Sequence, residues 1–303
     1  MKKNLFIFIN VALITITLNA CSKDDLNSTV SKTEPTKAVV EDRDSTFRYL
    51  DQQAMKAGIQ SRMYLDIEEL DETFIGEDDK YYPVFLFNDS FSNEINLEIS
   101  VDNAMDQKQE LMLYFFERGN LISHSQLEAT AKHNSTFKIP LKINSEDLEE
   151  ITVAQIDLTA GKSRYKELSA SVARMVISTN EHILEDETIE VVSRPNELAN
   201  HTYEINDNID GTHTHELSIK NGNNTMNLTA THFTEDGEYR ILASNEEVNP
   251  EKNRNYPINR IDGKRNFILL QNNYGKILLS DLKSAIVHDV DYMTSDSYIV
   301  EIF

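Results

Sequence analysis

The chain reads as an all-β protein: two antiparallel β-sandwich-like domains behind a flexible N-terminal tether. Three observations predict this. In segment after segment, apolar residues recur at every second position, the period of a half-buried strand and not of a helix. Polar turns separate these segments at short, regular intervals, as in antiparallel sandwiches. The chain has 303 residues, 40% hydrophobic and 26% charged, enough to bury cores in two ordinary domains.

Residues 1–20 read as a secretory signal peptide. Lys2 and Lys3 precede an apolar run, Leu5 to Leu18, interrupted only by Asn10, Thr15 and Thr17. A basic start followed by a short apolar stretch marks export. The run is 14 residues long, short of the ~20 a helix needs to span a bilayer.

The signal ends Leu18-Asn19-Ala20-Cys21. These residues resemble the lipobox of bacterial lipoproteins, with Asn19 the one imperfect position. The resemblance implies cleavage before Cys21 and acylation (palmitate among the chains) of its thiol and new amino group. Two or more acyl chains anchor a protein stably, whereas one does not. Ser22-Lys23-Asp24-Asp25 is similar to the Lys-then-acidic export tag of Bacteroidota surface lipoproteins. That resemblance implies an outer-membrane protein facing the cell exterior.

Residues 21–58 read as the lipidated cysteine and its tether. Residues 22–45 are rich in Ser, Thr, Lys, Asp and Glu and cannot bury a core. Asp44-Ser45-Thr46 resembles a Bacteroidota O-glycosylation motif, with Ser45 as acceptor. Phe47, Leu50 and Met55 suggest a short helical cap before the first domain.

Residues 59–160 form the first domain. Met63, Leu65 and Ile67 alternate with polar residues, as do Ile95, Leu97, Ile99 and Val101. Val84 to Phe87 is a short apolar run, and Leu111 to Phe116 is apolar on both faces, as a central strand requires. Gly119-Asn120 turns the chain into Leu121 to Leu127. Pro140 interrupts the strand from Phe137 to Ile143; it cannot donate to a ladder, so that strand belongs at an edge. Ile151 to Leu158 completes the set. The pattern is similar to immunoglobulin-like domains of bacterial surface proteins, without their Cys…Trp…Cys set.

Residues 161–303 form a second all-β domain, sandwich or small barrel, after a boundary at Thr159 to Ser163. Its strands begin at Val172 to Ile177 and end at Ser297 to Phe303, with one short helix expected over 281–289.

Composition excludes several functions. The net charge of −22 opposes nucleic acid. Removing residues 1–20 takes away Lys2 and Lys3 and makes the mature chain more acidic still. Such a body is repelled by anionic lipid, so contact with the membrane falls to the acyl chains. Cys21 is the sole cysteine, which leaves no disulfide within the chain, no Cys zinc site and no cysteine nucleophile in the body.

Catalytic motifs fail one by one. Gly161-Lys162-Ser163 resembles the end of a P-loop, but Ile156 stands where its first Gly belongs. His215-Glu216 is followed by Ile219 where a His-Glu-x-x-His motif needs histidine. The loop from Asn206 to Gly211 nearly matches a calcium loop, with Asn206, Asn208 and Asp210 as ligands. It departs at its first ligand and at Leu217, the twelfth position.

The remaining constellation is histidine. If Lys220 pairs with Thr225 in a hairpin, His213 faces His232, and His215 lies on the same side. Three imidazoles make a zinc set with water in the fourth place, able to activate that water. No other cofactor is expected. The sequence therefore points to a lipid-anchored binding or adhesion protein, or an accessory of an outer-membrane complex, with a protein or glycan ligand. The alternatives are a metal-dependent hydrolase using His213, His215 and His232, and a fimbrial subunit or anchor.

Overall fold

The alternating segments resolve into four antiparallel-rich sheets stacked face to face. The computed structural model describes residues 30–41, 61–67, 72–74, 84–87, 93–103, 106–143, 148–158, 170–179, 201–207, 214–220, 225–250, 252–272, 277–279, 285–287 and 297–302. Among these residues every regular element is a strand.

Sheet I has the order β2 (Val39–Glu41), β9 (His133–Lys142), β6 (Glu94–Asn103), β3 (Ser61–Ile67). Sheet II has the order β8 (Asn120–Ala129), β7 (Gln109–Glu117), β10 (Leu148–Asp157), β11 (Ala170–Ser178), β5 (Val84–Leu86), β4 (Glu72–Phe74). Sheet III runs β1 (Ser31–Lys32), β15 (Glu238–Val248), β14 (Met226–Thr234), β17 (Asn266–Asn272), β20 (Ser297–Ile302), β19 (Ala285–Val287). Sheet IV runs β16 (Asn253–Asn259), β13 (Thr214–Lys220), β12 (His201–Asp207), β18 (Ile277–Leu279). Among the described strands only the β5–β11 and β12–β18 pairs are parallel.

Side-chain alternation assigns each face. On β7, Leu111, Leu113 and Phe115 share a core with Leu97, Ile99 and Phe137 of sheet I. Met112, Tyr114 and Phe116 point the other way, toward Phe233, Phe267 and Leu269 of sheet III. On β17, Ile268 and Leu270 join a third cluster with Leu217, Ile219 and Ile258 of sheet IV. Sheets II and III are thus apolar on both faces and form the two central layers. A sheet with both faces covered requires strands without alternation, which is why β7 and β17 read as continuous apolar runs.

The interface between sheets II and III is a core in its own right. Phe233 meets Tyr114 edge-on at 4.8 Å between centroids and Phe116 at 5.3 Å. Gln271 Nε2 donates to Thr152 Oγ1 across it at 2.8 Å, with both residues buried.

Four sequence expectations change. The boundary at residues 159–163 does not separate the sandwiches: β11 pairs with β10 from Leu148↔Ser178 to Ile156↔Ala170 and belongs to sheet II. The helix expected over 281–289 gives way to β19, which pairs with β20. The tether expected over 21–58 is engaged along 30–41, where backbone pairing, needing no apolar side chains, holds it to the body. The hairpin expected between the strands flanking Asn221 to Asn224 does not form: β13 pairs with β12 and β16, and β14 pairs with β15 and β17. The two strands cross from one sheet to the facing one. The edge position expected for the Pro140 strand holds only in part: β9 lies between β2 and β6, and Pro140 sits exposed opposite Asn96 of β6, beyond the three-residue pairing with β2.

Candidate functional site

With β13 and β14 in different sheets, the histidine geometry changes. His215 lies opposite Ile258 on sheet IV, and His232 lies between Arg240 and Ile268 on sheet III. His215 shares its face with Leu217 and Ile219, and His232 shares its face with Leu228 and Ala230. Both imidazoles therefore point into the same inter-sheet core, and both are buried. His213 lies outside the described residues.

The tautomer of His232 follows from its neighbours. Asn266 Nδ2 donates to the carbonyls of Ile261 and Lys264, and Asn266 Oδ1 accepts from the Ile261 amide at 2.9 Å. That oxygen is an acceptor, so His232 Nε2, 2.9 Å away, must be the donor. Its Nδ1 is left as a lone pair with no hydrogen-bond partner among the described residues. Burial above all pushes the His232 pKa down to about 4; Arg240 and His215 push the same way, and the Asn266 bond opposes them.

Two imidazoles fall short of a three-ligand zinc set. Among the described residues no group of three or more His, Cys, Asp or Glu is placed to hold a metal ion. Of the calcium candidates, Asn206 is exposed on β12 opposite Glu216; Asn208 and Asp210 lie outside the described residues. Cys21 and Ser45 also lie outside them.

A second arrangement was not legible in the sequence. Two hairpin turns dock reciprocally between the sandwiches. The β7–β8 turn uses Arg118 and Gly119 at positive φ, +47° and +83°, and Thr231 Oγ1 of β14 donates to the Gly119 carbonyl at 2.5 Å. The β14–β15 turn ends at Gly237 (φ +81°), where a Cβ would meet the His124 ring of β8 at 2.5 Å. His124 is 6% exposed.

Residues 30–41 lie over this junction as a strap. Ser31 and Lys32 pair with Tyr239 and Glu238 on the edge of sheet III. Pro35 bridges His124, and the Thr36 amide donates to the His124 carbonyl at 2.8 Å, on the edge of sheet II. Val39 to Glu41 pair with β9 on sheet I. Stacked sheets lie about 10 Å apart, and three extended residues span about 10 Å. The spacing of these contacts along the strap therefore matches one sheet per step. The only hint in the sequence is the polar Ser123-His124-Ser125 inside a strand flanked by Leu121 and Leu127.

No family model matches the chain, and no curated protein matches it. Solved structures similar to it include the E. coli chaperone DraB, at 13% identity over 70% of this chain and 93% of that one, with a TM-score of 0.22. The class 5 fimbriae chaperone CfaA follows at 10% identity, 70% and 92% coverage and a TM-score of 0.23. The YadV chaperone follows at 8% identity, 79% and 99% coverage and a TM-score of 0.23. At such scores the likeness carries no argument about function.

Proposed function

We propose that the protein is a lipid-anchored outer-membrane protein displayed on the cell surface, whose β-sandwich body serves binding or adhesion, alone or as an accessory of a larger complex. The observation that carries this reading is Leu18-Asn19-Ala20-Cys21 directly after a 14-residue apolar run. The strap supports it. Val30 follows Cys21 by nine positions, a reach of about 30 Å at most. An acylated Cys21 therefore holds the body close to the bilayer, on the side where the edges of sheets I to III are laced.

Cys21→Ser is the test. The variant is expected in the soluble fraction or as an uncleaved precursor, whereas wild type partitions with membranes. Normal processing and membrane retention of the variant defeats the reading. For display, replacing Lys23, Asp24 and Asp25 with Ala is expected to abolish cleavage by protease added to intact cells. A fimbrial subunit or anchor is the alternative reading; it requires purified chains to form strand-exchanged polymers visible by electron microscopy.

A further inference from the structure

We propose that residues 30–41 are an acid-releasable clasp, closed by the seating of neutral His124 among Tyr114, Thr33 and Gly237, which laces the edges of three sheets. This does not depend on the lipid anchor.

The geometry of closure is specific. Thr33 Oγ1 lies 3.1 Å from His124 Nδ1, and the Thr33 amide donates to the Gly237 carbonyl at 3.1 Å. Thr33 therefore touches both sandwiches at once. The His124 ring is stacked near Tyr114 at 6.3 Å with 23° between planes. Thr36 Oγ1 adds a bond to Ser123 Oγ. Apart from these contacts and those of Pro35 and Thr36 with the His124 backbone, the strap is held among the described residues by two residue pairs to β15, three to β9, an exposed Lys32–Asp236 ion pair at 3.8 Å and the packing of Ala38 on the first core. Its remaining residues are mostly exposed, so little apolar burial retains it. Terminal segments held this way open at low cost.

The charges around His124 decide the direction of the switch. The strap brings Lys32 and Glu34, the β14–β15 turn brings Asp236, and β7 brings the Tyr114 phenol, which burial keeps neutral. Asp236 is itself paired with Lys264 at 2.6 Å, and Lys264 with Glu238 at 2.8 Å. Burial is the largest influence and lowers the His124 pKa; Lys32 helps it, while Asp236 and Glu34 oppose it. Undocking the strap takes Thr33 off Nδ1 and lets water reach the ring, which moves its affinity for a proton toward the ordinary value, near pH 6.5. Docking is thus fully favoured above that pH and weakens as the pH falls through the lowered value. On opening, the edges of β15, β8 and β9 lose their cover together, and open edges are sites for an added strand.

Hydrogen exchange on the full chain, corrected for the intrinsic pH dependence, tests this. The reporters are the amides of Thr33 and Thr36. Their protection is expected to fall at least tenfold between pH 7.5 and pH 4.5, while the amides of β10 and β17 stay protected. His124→Gln is expected to remove the pH dependence. Gly237→Ala, whose Cβ strikes the ring, is expected to open the clasp already at pH 7.5. Three results overturn the proposal: unchanged strap protection in acid, equal acid loss in His124→Gln, or loss of strap and sheet protection together.

Discussion

Thr231 on β14 gives its hydroxyl proton to the carbonyl of Gly119, 112 residues earlier in the chain and in the other sandwich. The bond is buried, so deleting the donor strands a carbonyl without water to replace it. Thr231→Val keeps the shape and is expected to cost about 1–3 kcal/mol. Gly119→Ala removes no bond, but it forces a side chain into left-handed backbone and onto Thr229 Cγ2. That strain costs roughly 1–2 kcal/mol before any overlap. Urea titrations of both variants read these losses directly, and values within error of wild type refute the docking of this turn.

The aromatic contact between sheets II and III should make the two sandwiches unfold as one. Phe233 touches Tyr114, Phe116 and Phe267, all fully buried. Phe233→Ala is expected to cost about 3–5 kcal/mol. It should also split a single urea transition into two, because the interface is where it removes contacts. Circular dichroism together with hydrogen exchange in β6 and β13 distinguishes one transition from two. Two transitions already in wild type would mean that the sandwiches are independent.

Much of this architecture was legible. In Glu94–Asn103 the buried positions Ile95, Leu97, Ile99 and Val101 are those the alternation selects. The apolar run Leu111 to Phe116 marks a central strand, and β7 does lie between β10 and β8 with both faces covered. What failed was partner choice. Periodicity places a side chain on a face, but it is blind to whether the next strand pairs beside it or crosses to the facing sheet. His232 therefore has Arg240 and Ile268 beside it, and not the strand of His215. The strap failed for another reason. Backbone pairing and two threonine hydroxyls hold it, and neither leaves a mark in hydropathy.

At the sheet III edge of this interface, Arg265 grips Glu301 through Nε at 2.6 Å and Nη2 at 2.8 Å and lies over the Phe267 ring at 5.3 Å. Glu301 is almost wholly buried. Arg265→Lys keeps the charge but loses the fork and the stacking. Because it leaves a poorly satisfied carboxylate, it is expected to cost about 2–3 kcal/mol, whereas the double variant Arg265→Met, Glu301→Leu should recover most of that. Thermal melts of wild type and the two variants check the order. A double variant less stable than Arg265→Lys would count against it.

Stability in acid should report on His232. Its folded pKa is about 4, and in the unfolded chain an imidazole titrates near 6.5. Between these values the unfolded state binds the proton and the folded state does not. Unfolding therefore gains free energy as pH falls, and the stability that neutral His232 permits is full above about pH 6.5 and lost progressively down to pH 4. The two pKa values set the total at about 3 kcal/mol. His232→Gln keeps a donor to Asn266 Oδ1 and has nothing to titrate. Its stability at pH 7 should lie below that of wild type by the cost of repacking, but its decline between pH 6.5 and pH 4 should be shallower by most of those 3 kcal/mol. Urea midpoints measured at half-unit steps of pH give both slopes. Parallel slopes would mean that His232 takes up its proton in the folded core as readily as in water, which its burial and fixed Nε2–H tautomer argue against.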